Sequence, residues 1–123
     1  MGIFSELASS AHAISEEQLR KDYGKLFNEP EIIHLGLKMF MDTLIFTDKR
    51  MVMVDLEGSR IEYRSIFYKS ISRLSIETSG AFNPNAELRI WTTGEGEPSF
   101  VREFDKSVDV YEVQKVLVYY ALR

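Results

Sequence analysis

Between Glu31 and Phe104 the chain breaks into seven short segments of strand-like pattern, separated by turn residues, and a single amphipathic helical segment follows. Regular spacing of about 8–12 residues between short strands is the mark of an antiparallel sandwich or barrel. In Ile33-His34-Leu35-Gly36-Leu37-Lys38-Met39 the apolar residues alternate, predicting a half-buried strand with Ile33, Leu35, Leu37 and Met39 on one face. Leu44 to Thr47 is a second strand, turned by Asp48-Lys49. Arg50 to Leu56 follows, with Met51, Val52, Met53 and Val54 apolar on both faces. Glu57-Gly58-Ser59 turns again before the alternating Arg60 to Arg64. Ile71 to Thr78 places Leu74 and Ile76 on one face and Arg73, Ser75 and Glu77 on the other. After the loop from Gly80 to Asn85 comes Glu87 to Trp91, and after the Gly94 to Pro98 loop comes Phe100 to Phe104.

Helices flank this block. Ser107 to Leu122 reads as one helix, with Ser107 as N-cap and Asp109 and Glu112 in the first turns. Its apolar positions, Val113, Val116, Leu117, Tyr120 and Ala121, form one stripe that can plug the open end of a barrel. Val118, Tyr119 and Leu122 widen that stripe beyond the ~100° that one packing face requires. They are expected either to pack on the N-terminal helices or to meet another subunit. At the other end, Ser5 to Phe27 reads as helix in two pieces. Ile3, Leu7, Ala11 and Ile14 form the stripe of the first. Ser15-Glu16-Glu17-Gln18 has the form of a capping box opening the second, whose face is Leu19, Tyr23, Leu26 and Phe27. Asn28-Glu29-Pro30 ends it. The division expected is a helical segment over 1–29 and a barrel with its helix over 30–123.

Length and composition narrow the function. A chain of 123 residues holds one domain with one modest core. Its net charge of −4 gives no global case for nucleic acid or for an anionic membrane. The absence of cysteine removes disulfides, thiolate nucleophiles and Cys-based zinc sites, and fits a reducing cytoplasm. No run reaches the roughly 18 apolar residues of a membrane span. The start, Met1 to Glu6, lacks a signal-peptide pattern, and Glu6 stands where a myristoylation signal wants Ser or Thr. No nucleophile elbow, phosphate-binding glycine loop or zinc-binding helix motif is present, and no cofactor is expected.

The run from Asp42 to Asp55 (DTLIFTDKRMVMVD) resembles the strand–turn–strand signature of the bacterial pleckstrin-homology (PH) domain proteins. Tyr63, Ser65, Ile66, Tyr68, Lys69, Ser70 and Ile71 are similar to that family's next stretch, as are Ile76 to Gly80 and Ala86 to Trp91. The resemblance extends over about 31–123. It implies a PH-like seven-stranded antiparallel barrel or orthogonal sandwich capped by the C-terminal helix. It further implies no known catalytic activity and a tendency to form symmetric rings. Eukaryotic PH domains often bind inositol phosphates through basic residues on the first two strands. Here that region offers only Lys38 before Asp48, so that mode is poorly supported.

The expected function is therefore a non-enzymatic binding or scaffold module that self-associates. The alternative is capture of an anionic lipid headgroup or acidic peptide, with Lys49 and Arg50 as the anion contact. The bland use of that turn is an Asp48 that bonds its own backbone and cations left in solvent. His12 and His34 are expected to be structural or solvent-facing. Glu62, Glu77, Glu87 and Glu103 are expected to pair with Arg64, Arg73, Arg89 and Arg102 across strands rather than to form a catalytic dyad. Trp91 falls on the polar face of its strand, which marks either a partner surface or a place covered by the N-terminal helix. Trp91, Val118, Tyr119 and Leu122 are the candidate interface residues.

Overall fold

The computed structural model describes residues 2–39, 41–78 and 85–123, so most of the expected loop, Gly80 to Pro84, lies outside the described residues. All seven expected strands form: β2 (Ile33–Lys38), β3 (Asp42–Thr47), β4 (Arg50–Glu57), β5 (Arg60–Phe67), β6 (Ile71–Thr78), β7 (Ala86–Thr92) and β8 (Phe100–Phe104). An additional two-residue strand, β1 (Ala13–Ile14), precedes them. The helices are α1 (Ser5–Ala8), α2 (Glu16–Tyr23) and α3 (Val110–Ala121). One antiparallel sheet runs β1-β2-β3-β4-β5 and the other β6-β7-β8.

Both sheets turn apolar side chains into one core. Leu37, Leu44, Phe46, Met51 and Met53 from the larger sheet meet Leu88, Ile90, Phe100 and Phe104 from the smaller. Val110, Val113, Val116 and Leu117 of α3 close this core, as the helix stripe predicts. A second cluster lies on the opposite face of the larger sheet, where Leu19 of α2 packs with Ile33, Ile45, Val52 and Val54. The strand apolar on both faces is thus a strand buried on both faces. At Gly36 a Cβ would stand 2.8 Å from Leu19 Cδ2, so the glycine lets α2 lie close against the sheet.

The N-terminal helices are shorter than the periodicity predicts. The first ends at Ala8, because His12 to Ile14 pair with β2: Ala13 faces Leu37, Ile14 faces Gly36, and Lys38 N–H donates to the His12 carbonyl at 2.8 Å. Covering a free sheet edge outweighs extending a short helix. Ser15 does cap α2, accepting from Gln18 N–H at 3.2 Å, but the Gln18 amide turns to Asp22 at 2.9 Å and leaves the reciprocal half of the box unmade. The helix stops at Tyr23, and a 3-10 turn over Gly24–Leu26 leads on to Phe27, where the backbone is extended.

Two further expectations change. A β-bulge between Ile33 and Leu35 rotates the start of β2, so Ile33 faces α2 while Leu35 and Leu37 face the main core. The α3 cap is Asp109, which accepts from Tyr111 N–H at 3.0 Å. Ser107 instead bonds the Asp105 carboxylate and, at 2.8 Å, His12 Nε2.

Candidate functional site

The Asp48-Lys49 turn joins β3 to β4, and Asp48 holds it from both sides. Its carboxylate accepts from Ile32 N–H at 3.0 Å, and its own N–H donates to the Ile32 carbonyl at 3.0 Å. The two cations that follow have opposite fates. Arg50 makes a two-point contact with Glu31, Nε to Oε2 at 2.8 Å and one Nη to Oε1 at 3.0 Å. Its remaining donors reach Ser65 Oγ at 2.8 Å and the Leu26 carbonyl at 2.7 Å. The guanidinium also lies 5.2 Å from the Phe27 ring centroid and 5.9 Å from that of Phe67. Burial by itself would raise the Glu31 carboxyl, but hydrogen bonds from Arg50 and Thr47 and the guanidinium charge outweigh it and hold it below the usual range. Arg50 therefore fastens the segment after α2 to the sheet, with its donors committed inside the molecule.

Lys49 points the other way in every respect. It is exposed, and among the described residues neither it nor Lys69 takes part in an ion pair. The two lysines line a cavity of about 460 Å³ together with Asp48, Phe67, Tyr68, Tyr120 and Arg123. Tyr68 and Tyr120 are stacked at 4.9 Å between centroids, and the Tyr68 hydroxyl donates to the Thr47 carbonyl at 2.8 Å. Burial pushes the Tyr68 hydroxyl up, so it stays a neutral donor. Phe67, 53% exposed, borders both this cavity and a second of about 450 Å³ that opens over Glu31 and Arg50, and Asp48 and Lys49 line both. The sequence gives Lys49 its place in a turn. It does not announce Lys69 and Arg123, which reach the same hollow from the 3-10 turn Tyr68–Ser70 and from the residues after α3.

The candidate interface residues divide. Val118, Tyr119 and Leu122 share one exposed face of α3, at 36%, 38% and 82%. Trp91 stands with Glu87 and Arg89 on the outer face of β7, where the Arg73 guanidinium lies 3.8 Å from its ring centroid. The indole is thus covered by a cross-strand arginine, while α2 packs on the other sheet. Of the strand carboxylates, Glu77 pairs across strands with Arg89, whereas Glu87 with Arg89 and Glu62 with Arg64 at 3.3 Å pair within one strand, and Glu103 accepts from Asn85 at 3.4 Å. Arg102 goes elsewhere, to the buried Asp42 at 2.6 Å and to Met53 Sδ at 2.9 Å, linking the two sheets. Burial raises the Asp42 carboxyl despite that partner. His34 stacks on Phe4 at 4.7 Å and meets the Tyr120 hydroxyl at 3.0 Å; burial lowers its pKa. Among the described residues no group of three acidic, histidine or cysteine side chains could hold a metal.

The bacterial PH domain family model matches residues 2–121, almost the whole chain. The chain belongs to that family. The match takes in the N-terminal segment, in keeping with Leu7 in the main core and Leu19 over the sheet. This bacterial PH domain is 37% identical over 120 residues to the uncharacterized protein YjqA of Bacillus subtilis, covering 95% of this chain and 96% of that one. It is 32% identical over 119 residues to YozO of the same organism, with 95% of each chain covered. The crystal structure of a pleckstrin homology domain from Shewanella amazonensis superposes with a TM-score of 0.80 at 33% identity, over 99% of this chain and 100% of that one. A DUF1696 family protein with a pleckstrin-homology domain from Shewanella loihica gives 0.79 at 29%, over 89% and 95%. None of these descriptions names an enzyme. In this PH domain the Lys49 cavity lies at the end of the sheet formed by the β3–β4 turn. The β2–β3 connection, which the inositol-phosphate mode would use, lies at the other end.

Proposed function

We propose that the protein is a cytoplasmic, non-enzymatic PH-like scaffold that assembles with copies of itself, ring-like by its family resemblance. One observation carries this reading. Beside Tyr23 at the end of α2, the outer face of the larger sheet ends in an apolar patch of Leu56, Ile61 and Tyr63, exposed by 46%, 51% and 48%. Leu56 and Ile61 are cross-strand partners, and Tyr63 lies two residues along β5. That strand is also the outermost of its sheet, eight residues long, with no strand on its far side among the described residues. An exposed apolar face beside an unpaired edge is a surface that pairs with another chain. Val118 and Leu122 add a second exposed apolar face at the end of α3, and Trp91 and Tyr119 contribute less because Arg73 and Arg123 lie over their rings.

Light scattering after size exclusion at micromolar concentration tests this. The wild type is expected well above the 14.2 kDa of one chain. Ile61→Lys with Tyr63→Lys is expected to shift it toward the monomer. A strictly monomeric wild type overturns the proposal.

A second reading, recognition of an anionic group on a lipid or an acidic peptide, is supported by Lys49 and Lys69, which take part in no ion pair among the described residues. Arg50 adds little to it, because Glu31 neutralises its charge. Binding to acidic vesicles or an acidic peptide at low salt, weakening as salt screens it, is the expected result; no binding to either even at low salt would remove this reading.

A further inference from the structure

Phe67, Asp48 and Lys49 border two hollows of similar size that differ in charge balance. In one, Arg50 and Lys49 face Glu31 and Asp48, and Arg50 is matched by Glu31 and holds its donors inside. In the other, Lys49, Lys69 and Arg123 border the hollow, and among the described residues Asp48 is its only acidic side chain. The Asp48 carboxylate already accepts the Ile32 N–H. The hollow is therefore positive, and its remaining lining is aromatic: Phe67, Tyr68 and Tyr120. Its volume of about 460 Å³ falls in the range of small-molecule sites. Tyr68 is 2% exposed and stacked on Tyr120, so the ring surface open to the cavity comes mainly from Phe67 and from Tyr120, whose hydroxyl is turned to His34.

Resting on the anion-binding reading above, we infer that this hollow binds a small amphiphilic anion, an aliphatic or aromatic carboxylate, with its body against Phe67 and Tyr120 and its charge between Lys49 and Lys69. Both halves of the ligand are required. The aromatic lining gives a simple inorganic anion little to bury, and two lysines in no ion pair among the described residues favour an anionic head over a neutral or cationic one.

The test is amide NMR titration of the full chain with octanoate, with octanol and octylammonium as matched controls. Octanoate is expected to give saturable shifts at Asp48, Lys49, Phe67 to Ser70 and the residues after Tyr119, and both controls much weaker ones. Lys49→Gln and Lys69→Gln, at exposed positions that leave the core intact, should each weaken binding by about threefold to fivefold, the size of a solvent-exposed charge pair. Lys106→Gln should leave binding unchanged, and Phe67→Ala should weaken it with both lysines in place. Absence of saturable shifts, an equal response to octanol, or unaltered binding in the double lysine variant overturns the inference. If acidic vesicles bind while octanoate does not, the small-molecule site is wrong and the broader anion-binding reading stands.

Discussion

The two sheets face the same core yet differ in what covers their backs. Behind β2, β3 and β4 lies α2, so Ile45, Val52 and Val54 are as buried as the Leu44, Phe46 and Met53 that face the core. Behind β6, β7 and β8 lies no helix among the described residues, and the outer residues are Arg73, Ser75, Glu77, Glu87, Arg89 and Trp91, knitted by ion pairs and one cation–ring contact. A sheet buried twice depends on each link that holds its cover down. A sheet with a solvated back depends on its core face, and its outer pairs contribute little.

The strongest way to break this difference is at Arg50, the clasp between the cover and the larger sheet. Arg50→Ala leaves Glu31 buried without its partner and is expected to cost about 3–5 kcal/mol in urea unfolding. Combining Glu31→Gln with Arg50→Met should recover much of that loss, since no unpaired charge remains. If Arg50→Ala were silent, the cover would be held by apolar packing alone.

Gly36→Ala attacks the same cover from the sheet side. Its new Cβ would meet Leu19, which is fully buried, and about 1–3 kcal/mol of destabilisation is expected. Leu19→Ala in the same chain should make the alanine at 36 nearly neutral, a coupling that a double-mutant cycle reads directly.

Acid should act on the larger sheet before the smaller. His34 is held below its ordinary value of 6.5, so as pH falls past 6.5 the unfolded chain takes up its proton first and stability declines toward the folded pKa. Glu31 is held below 4.5, so its contribution is complete above that pH and is lost as pH falls through its folded pKa. Amide exchange followed down this range should show α1, β1 and the residues around Glu31 opening before β7. His34→Phe should remove the first of these two steps. Earlier opening in β7 would reverse the assignment.

The smallest effect belongs to the solvated back. Arg89→Ala removes both of its ion pairs and is expected to change stability by no more than about 0.5 kcal/mol. A loss several times larger would mean that the outer face of the smaller sheet carries structural weight after all.

The difference between the sheets was half legible in the residues. The doubly apolar Met51 to Val54 required a strand covered on both sides, and the alternation in Ile71 to Thr78 and Glu87 to Trp91 required one solvated face. The seven main strands, both flanking helical regions and the cap at Ser15 follow from local pattern, because each depends on residues a few positions apart. The bulge at the start of β2 was not legible, since it exists only to set Ile33 beneath α2 while Leu35 enters the core. The end of α1 at Ala8 was not either, because the strand that replaces its continuation needs the edge of β2 as partner. The same limit governs the candidate site. Lys49 and Arg50 are adjacent cations in one turn, and nothing local distinguishes them. Only the folded chain brings Glu31, nineteen residues before Arg50, against one of them, and Lys69 and Arg123 beside the other. The seven strands, their apolar faces and the terminal helix were thus determined by the sequence itself, through periodicity and turn chemistry. Which cation is neutralised and which stays free was decided by tertiary structure, because charge pairing depends on distances that chain order does not set.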